Sequence, residues 1–150
     1  MTVTSTIHAT AVLVGSRAVL IQGPSGSGKS RLALVLLQAA ETGGLPFVRL
    51  VGDDRVHVER IHDRLLVRPA AALAGQIEVR GVGIRRMEHE PVAVVGLVVD
   101  LDASDAERLP EANQREIVLN QVPLPRLAVA AGVDALPLLL ACLKTLPIVV

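Results

Sequence analysis

The sequence predicts an α/β fold built as a single domain over residues 1–150, and three observations carry that prediction. A glycine-rich loop, Gly23-Pro24-Ser25-Gly26-Ser27-Gly28-Lys29-Ser30, stands between a β-rich run and a helical run. Short alternating apolar runs fill the middle of the chain, and helical spacing returns near its C-terminal end. A chain of 150 residues is long enough to bury one sizeable core.

Two β-rich runs, Ala9 to Val14 and Ala18 to Gln22, flank Gly15-Ser16-Arg17, where glycine allows a tight turn. The hairpin leads into the loop. From Lys29 to about Ala40, Leu32, Ala33, Leu36, Leu37 and Ala40 recur at helical spacing, and Thr42-Gly43-Gly44 supplies the stop. Phe47 to Val51 reads as a strand that delivers Gly52-Asp53-Asp54 at its carboxyl end, where ligands bind in α/β sheets. Val56 to Ile61 and Leu65 to Val67 read as a second hairpin around His62-Asp63-Arg64, and Ile77 to Arg80 as another alternating run. Val92 to Val99 reads as a central strand ending at Asp100. A polar stretch, Asp102 to Gln114, precedes a final strand, Glu116 to Leu119. Asp134 caps a last helix with Pro137 in its first turn and Leu136, Leu139, Leu140 and Leu143 on its apolar side.

Hydrophobic residues make up 51% of the chain, and Phe47 is its one aromatic ring apart from the histidines, so the core must be aliphatic. Lys plus Arg and Asp plus Glu number 15 each, so no long-range field favours nucleic acid or an anionic membrane. The single Cys142 excludes a disulfide framework and, in an apolar run, reads as a buried inert thiol. The first residues carry no export signal, which points to the cytoplasm. No stretch reaches the roughly 20 apolar residues that cross a bilayer. The densest run, Leu136 to Leu146, contains Lys144 and reads as a buried helix.

The loop is where the chemistry concentrates. Gly23 and Gly28 let backbone close round a phosphate, N–H groups at the helix start supply positive potential, and Lys29 can reach β and γ oxygens of ATP. Ser30 is then placed to ligate Mg²⁺. Asp53 and Asp54 form a carboxylate pair in which one can hold the magnesium shell and the other accept a hydroxyl proton. Asp100, ending an apolar strand, competes for the magnesium-side role. Arg85, Arg86 and Arg126 could bind acceptor or phosphate but read by default as charged strand ends and loops, and His57, His62 and His89 read as surface residues.

His8 before the first strand pair, the loop Gly23 to Ser30, Leu50-Val51-Gly52-Asp53-Asp54, and Ile77-Glu78-Val79-Arg80-Gly81-Val82-Gly83-Ile84 occur together in an order and spacing that resembles one family. That family is the catalytic domain of HPr kinase/phosphorylase, which phosphorylates a serine of the bacterial phosphocarrier protein HPr in the phosphotransferase system. The resemblance implies a mixed sheet wrapped around the nucleotide loop, related to phosphoenolpyruvate carboxykinase, rather than a doubly wound parallel sheet. It implies Asp54 as the base that deprotonates the acceptor serine, His8 near the transferred phosphoryl, Glu78 as a second magnesium-side carboxylate and Asp53 as the supporting acid. Asp100 becomes an ordinary strand end.

Further along, Glu107-Arg108-Leu109 is a partial counterpart of the family's arginine-containing acceptor segment, which makes Arg108 a site residue. Val122-Pro123-Leu124-Pro125-Arg126 resembles a shortened form of the loop used chiefly for dephosphorylation, so kinase rather than phosphorylase activity is expected. The resemblance also implies the short form without an N-terminal domain. It further implies a homo-oligomer, commonly a hexamer, to which the apolar last helix would suit itself. Two other readings stand beside it: a small-molecule kinase or ATPase using Asp100, and a nucleotide-sensing module without turnover.

Overall fold

The hairpin that precedes the glycine-rich loop sets the frame for everything else. In the computed structural model, which describes residues 5–145, β1 (Thr6–Val14) and β2 (Arg17–Gln22) pair antiparallel from Val14↔Arg17 to Ala9↔Gln22. Alternate residues of a strand face opposite sides, and β2 sends Ala18 and Leu20 one way and Val19 and Ile21 the other, into two separate clusters of buried side chains. A strand buried on both faces is apolar throughout, which is why 18–21 carries no polar residue.

Around this hairpin β3 (Val48–Gly52) pairs antiparallel with β1, and β8 (Ala93–Asp100) pairs parallel with β2. β10 (Val122–Ala128) runs parallel to the end of β8, and β9 (Glu116–Leu119) pairs antiparallel with β10. The order is therefore β3–β1–β2–β8–β10–β9. The hairpin of β4 (Arg55–Ile61) and β5 (Arg64–Pro69) closes the sheet on itself, because β4 pairs with the start of β1 and β5 with the start of β8. The sheet is mixed, as expected, and β8 is central to it.

The two buried clusters define the layers. One lies between the sheet and the β4–β5 hairpin, around Leu20, Val56, Leu65 and Val67. The other lies beneath α1 (Lys29–Glu41) and α2 (Ala135–Lys144), around Ile21, Leu36, Leu50 and Leu139. All of these side chains are aliphatic, and Phe47 is exposed. Asp134 accepts a hydrogen bond from Leu136 N–H at 3.2 Å and caps α2 as expected. A separate ribbon of β6 (Gln76–Val79) and β7 (Gly83–Arg86) sits on the helix side with Ile77 buried. No helix among the described residues is long and apolar enough to cross a membrane; Leu146 at the end of the densest apolar run lies outside the described residues.

Three expectations are corrected. Residues 122–126 are not a loop but the first part of β10, whose side chains alternate between buried Val122 and Leu124 and exposed Pro123 and Pro125. The prolines are tolerated because this half of β10 pairs only with β9 and needs no donors on its other edge. Cys142 lies on the exposed side of α2, since the inward line of that helix runs through Ala135 and Leu139; partial burial still pushes its thiol pKa up. His57 and His89 are half-buried rather than at the surface; the His89 ring packs so close to Gly75 that a Cβ there would stand 2.9 Å from Nδ1.

Arg126 lies within β10, and its guanidinium is engaged through all three nitrogens. Its Nε donates to Asp100, its two terminal nitrogens donate to Asp105 at 2.8 and 2.9 Å, and Nη1 also reaches Gln114 O at 3.1 Å. One side chain thus pins the 102–115 stretch to the ends of β8 and β10. Arg126→Ala is expected to lower the unfolding free energy by about 2–3 kcal/mol at pH 7, measured by urea denaturation, because it strands a mostly buried Asp100. The guanidinium holds the Asp105 carboxyl below its ordinary value of 3.8, so the Asp105 contribution is fully present above about pH 4 and lost as pH falls through the lowered value. The gap between wild type and Arg126→Ala should accordingly narrow below about pH 4.

Candidate active site

The chain leaves β2 at Gln22 and enters α1 at Lys29, so residues 23–28 must reverse direction at the mouth of the sheet. Gly23 admits no side chain there: a Cβ would lie 2.6 Å from Ser27 Oγ and 3.0 Å from Leu101 Cβ. The N–H groups of the first turn of α1 have no partners within the helix, and together with the helix dipole they make the loop a place for an anion. Lys29, buried at the head of the helix, donates to its own loop at Gly23 O (2.8 Å) and Pro24 O (3.1 Å). Ser27 Oγ is buried and without a hydrogen-bond partner among the described residues. A loop with free donors, a lysine at its centre and an orphaned hydroxyl fits a polyphosphate.

Beside the loop, Asp53 is 4% exposed and is held by donors from three elements. Thr10 Oγ1 on β1 and Ser30 Oγ on α1 donate to Oδ1 at 2.8 and 2.6 Å, and the backbone N–H of Glu78 on β6 donates to Oδ2 at 3.0 Å. A buried carboxylate without such partners would carry a large desolvation cost. No group of three or more His, Cys, Asp or Glu able to hold a metal occurs among the described residues. Ser30, beside Asp53 at the loop, is the residue that would hold a nucleotide-bound Mg²⁺.

The neighbouring Asp54 is presented in the opposite way. Arg55 N–H donates to Asp53 O at 2.8 Å, closing a three-residue γ-turn around Asp54 at φ 68. Such turns are rare and strained, at a cost of about 1–3 kcal/mol. The turn swings Asp54 out of the sheet into a cavity of about 780 Å³ that it shares with His8, the 25–30 loop and Glu78. His8 Nδ1 lies 3.7 Å from Asp54 Oδ1, and Arg55 Nη2 is 3.0 Å from His8 Nε2. A guanidinium only donates, so Nε2 accepts and the Nδ1 proton faces Asp54.

The structure thus brings together His8, Ser25 to Ser30, Asp53, Asp54 and Glu78, with Gly23 and Pro24 forming the start of the same loop. Glu78 reaches Asp53 through its backbone, and its side chain stands exposed on the cavity wall. Arg108 lies on the exposed 102–111 stretch and is not among the residues that line the cavity. Asp100 is engaged by Arg126 and also stands outside the lining, which removes the ground for its competing magnesium role. Thr10 and Arg55 were missed by sequence reasoning. A threonine set between Ala9 and Ala11 in the apolar part of β1 is the one signal that could have pointed to Thr10.

The model of the HPr Serine kinase C-terminal domain family matches residues 1–141. Among curated proteins, the chain is 31% identical to an HPr kinase/phosphorylase of Exiguobacterium sp. over 142 residues, covering 84% of this chain and 42% of that protein. It is 42% identical to an HPr kinase/phosphorylase of Lactococcus lactis subsp. lactis over 81 residues, covering 53% of this chain and 24% of that protein. The chain therefore spans less than half the length of the curated relatives it matches. A solved structure of the HPr(Ser) kinase/phosphatase from Coxiella burnetii superposes with a TM-score of 0.73 over 93% of this chain and 88% of that one, at 20% identity, and shows the same fold.

Thr10→Val keeps the shape of the side chain but removes one donor from a buried carboxylate. It is expected to lower stability by about 1–3 kcal/mol in urea denaturation, with Thr10→Ser close to wild type.

Proposed function

The chain belongs to the HPr serine kinase C-terminal domain family, and from that premise we propose that it is an ATP- and Mg²⁺-dependent kinase that phosphorylates a serine of HPr. The observation that carries the proposal is the division of labour between adjacent carboxylates. Asp53 is buried against Ser30 of the loop, while Asp54 is held out by a strained turn into the same cavity. A passive nucleotide sensor has no use for the second feature.

In this reading the triphosphate lies on Gly23, Pro24, Ser25, Gly26, Ser27, Gly28, Lys29 and Ser30. Lys29 leaves its loop carbonyls to stabilise charge on the moving phosphoryl group. Ser30, with Asp53 and Glu78 beside it, would hold magnesium, which would supply charge neutralisation for the triphosphate. The serine hydroxyl of the acceptor approaches Asp54, which takes its proton as the serine oxygen bonds to the γ-phosphorus and the bond to ADP breaks. His8, turned by Arg55, keeps an N–H toward Asp54 and the transferred group. Arg108 would meet the acceptor from outside the cavity.

The tethering of Arg126 within β10 supports the kinase direction over dephosphorylation, since neither side chain nor segment reaches the cavity. A cytoplasmic location belongs to the same proposal. So does self-association, which the outward, partly apolar side of α2 at Leu138 would suit.

Incubation with ATP, Mg²⁺ and HPr should add one phosphoryl group to a serine of HPr, read by intact mass and peptide mapping. Lys29→Ala and Asp54→Ala should each slow the transfer by at least about a hundredfold. Demonstrable ATP binding with no transfer to HPr would overturn the proposal.

A further inference from the structure

The cavity extends to both sides of β2, and the chemistry above uses only one of them. In the order β3–β1–β2–β8–β10 the loop that follows β2 stands in the middle. His8 and Asp54 reach the cavity from β1 and the end of β3. On the other side, the ends of β8 and β10 form a second arm that includes Leu101, Asp102, Val129 and Val133.

This arm is fixed to the loop. Leu101 N–H donates to Gln22 O at 2.8 Å, and Leu101 Cβ and O would lie 3.0 and 3.2 Å from a Cβ at Gly23. Val129 N–H donates to Asp100 O and Ala103 N–H to Val129 O, both at 2.9 Å, so the two strand ends move as one body. Asp102 occupies a left-handed turn position at φ 53, and its carboxylate has no hydrogen-bond or ion-pair partner among the described residues. Beyond it the wall is aliphatic except for Asp134, whose Oδ1 is taken up in capping α2, and Val133 is 50% exposed.

We infer that this arm is the nucleoside subsite, with Asp102 accepting hydrogen bonds from the ribose hydroxyls and the base lying against Leu101, Val129 and Val133. The inference rests on the ATP reading. A triphosphate whose terminal group faces Asp54 must run its other end away from Asp54, and the strand order leaves the β8–β10 side for it. A carboxylate there repels further phosphate but accepts from hydroxyls, so it selects a sugar. Asp102 follows the residue that touches the loop and therefore meets the group next to the phosphates. Val133, more distant, meets the base. With aliphatic contacts alone, the slot distinguishes adenine from guanine by no more than about tenfold.

The test is isothermal titration of the whole chain with Mg²⁺-ATP, Mg²⁺-2′,3′-dideoxy-ATP and Mg²⁺-tripolyphosphate. Asp102→Ala should weaken ATP binding about tenfold and leave tripolyphosphate binding unchanged. On wild type the dideoxy compound should show a similar loss, and on the variant no additional loss. Val133→Asp should weaken both nucleotides and not tripolyphosphate. Wild-type affinity for ATP in Asp102→Ala, full affinity of wild type for the dideoxy compound, or equal loss for tripolyphosphate would overturn the subsite while leaving the loop intact. If wild type binds neither ATP nor tripolyphosphate, the phosphate loop reading fails and the subsite falls with it.

Discussion

A carboxylate taken out of water must find donors, and Asp53 finds three on three separate elements: Thr10 on β1, Ser30 on α1 and the Glu78 backbone on β6. Each bond restricts one element relative to the end of β3. Together they fix the first turn of α1, and with it the loop, against the strand edge that carries His8 and Asp54. Apolar packing beneath the helices supplies most of the stability but little direction, because aliphatic side chains such as Leu32, Leu36 and Leu139 accept small shifts at modest cost. The buried carboxylate does not, since a donor displaced by an ångström no longer satisfies it.

The same constraint explains why two adjacent aspartates can play different parts. A β-bulge at Val51, where the β1–β3 register passes from Val12↔Leu50 to Ala11↔Gly52, puts Val51 and Gly52 on the side away from α1. The alternation resumed at Gly52 then turns Asp53 toward Ser30. Continuing that alternation would turn Asp54 toward the opposite face, so the chain instead makes a γ-turn closed by Arg55 N–H. The strain of φ 68 at Asp54 is sustained because Asp53 anchors one side of the turn and β4, paired to both β1 and β5, anchors the other. A buried carboxylate thus holds an exposed one at the cavity mouth, with His8 and Arg55 around it.

Much of this was legible in the chain. The alternation in 9–14 and 18–22 and the spacing of Leu32, Ala33 and Leu36 mark the strand, loop and helix because each depends on local periodicity. The motif order from His8 to Ile84 pointed to the family and to the residues that the fold gathers in one cavity. What could not be read depends on contacts distant in sequence. Pro123 and Pro125 argue against a strand until one knows that β10 pairs on one edge there. Thr10 and Asp53 are 43 residues apart, and the partnership of Asp100 with Arg126 spans 26, so nothing local separates Asp100 from a metal ligand. Cys142 lies in a run apolar enough to suggest burial, yet only the docking angle of α2 decides which of its sides faces the sheet.

The account turns on whether the terminal phosphate on the loop faces Asp54. A crystal structure of the chain with Mg²⁺ and a non-hydrolysable ATP analogue measures that directly. The predicted result places the terminal phosphorus next to Lys29 with room for one hydroxyl oxygen, about 3 Å from each neighbour, between it and Asp54. Ser30 would contact the ion, and Thr10 and the Glu78 N–H would still hold Asp53. A terminal phosphate on the β8–β10 side, or an ion bound at Asp100 with Arg126 displaced, would contradict it.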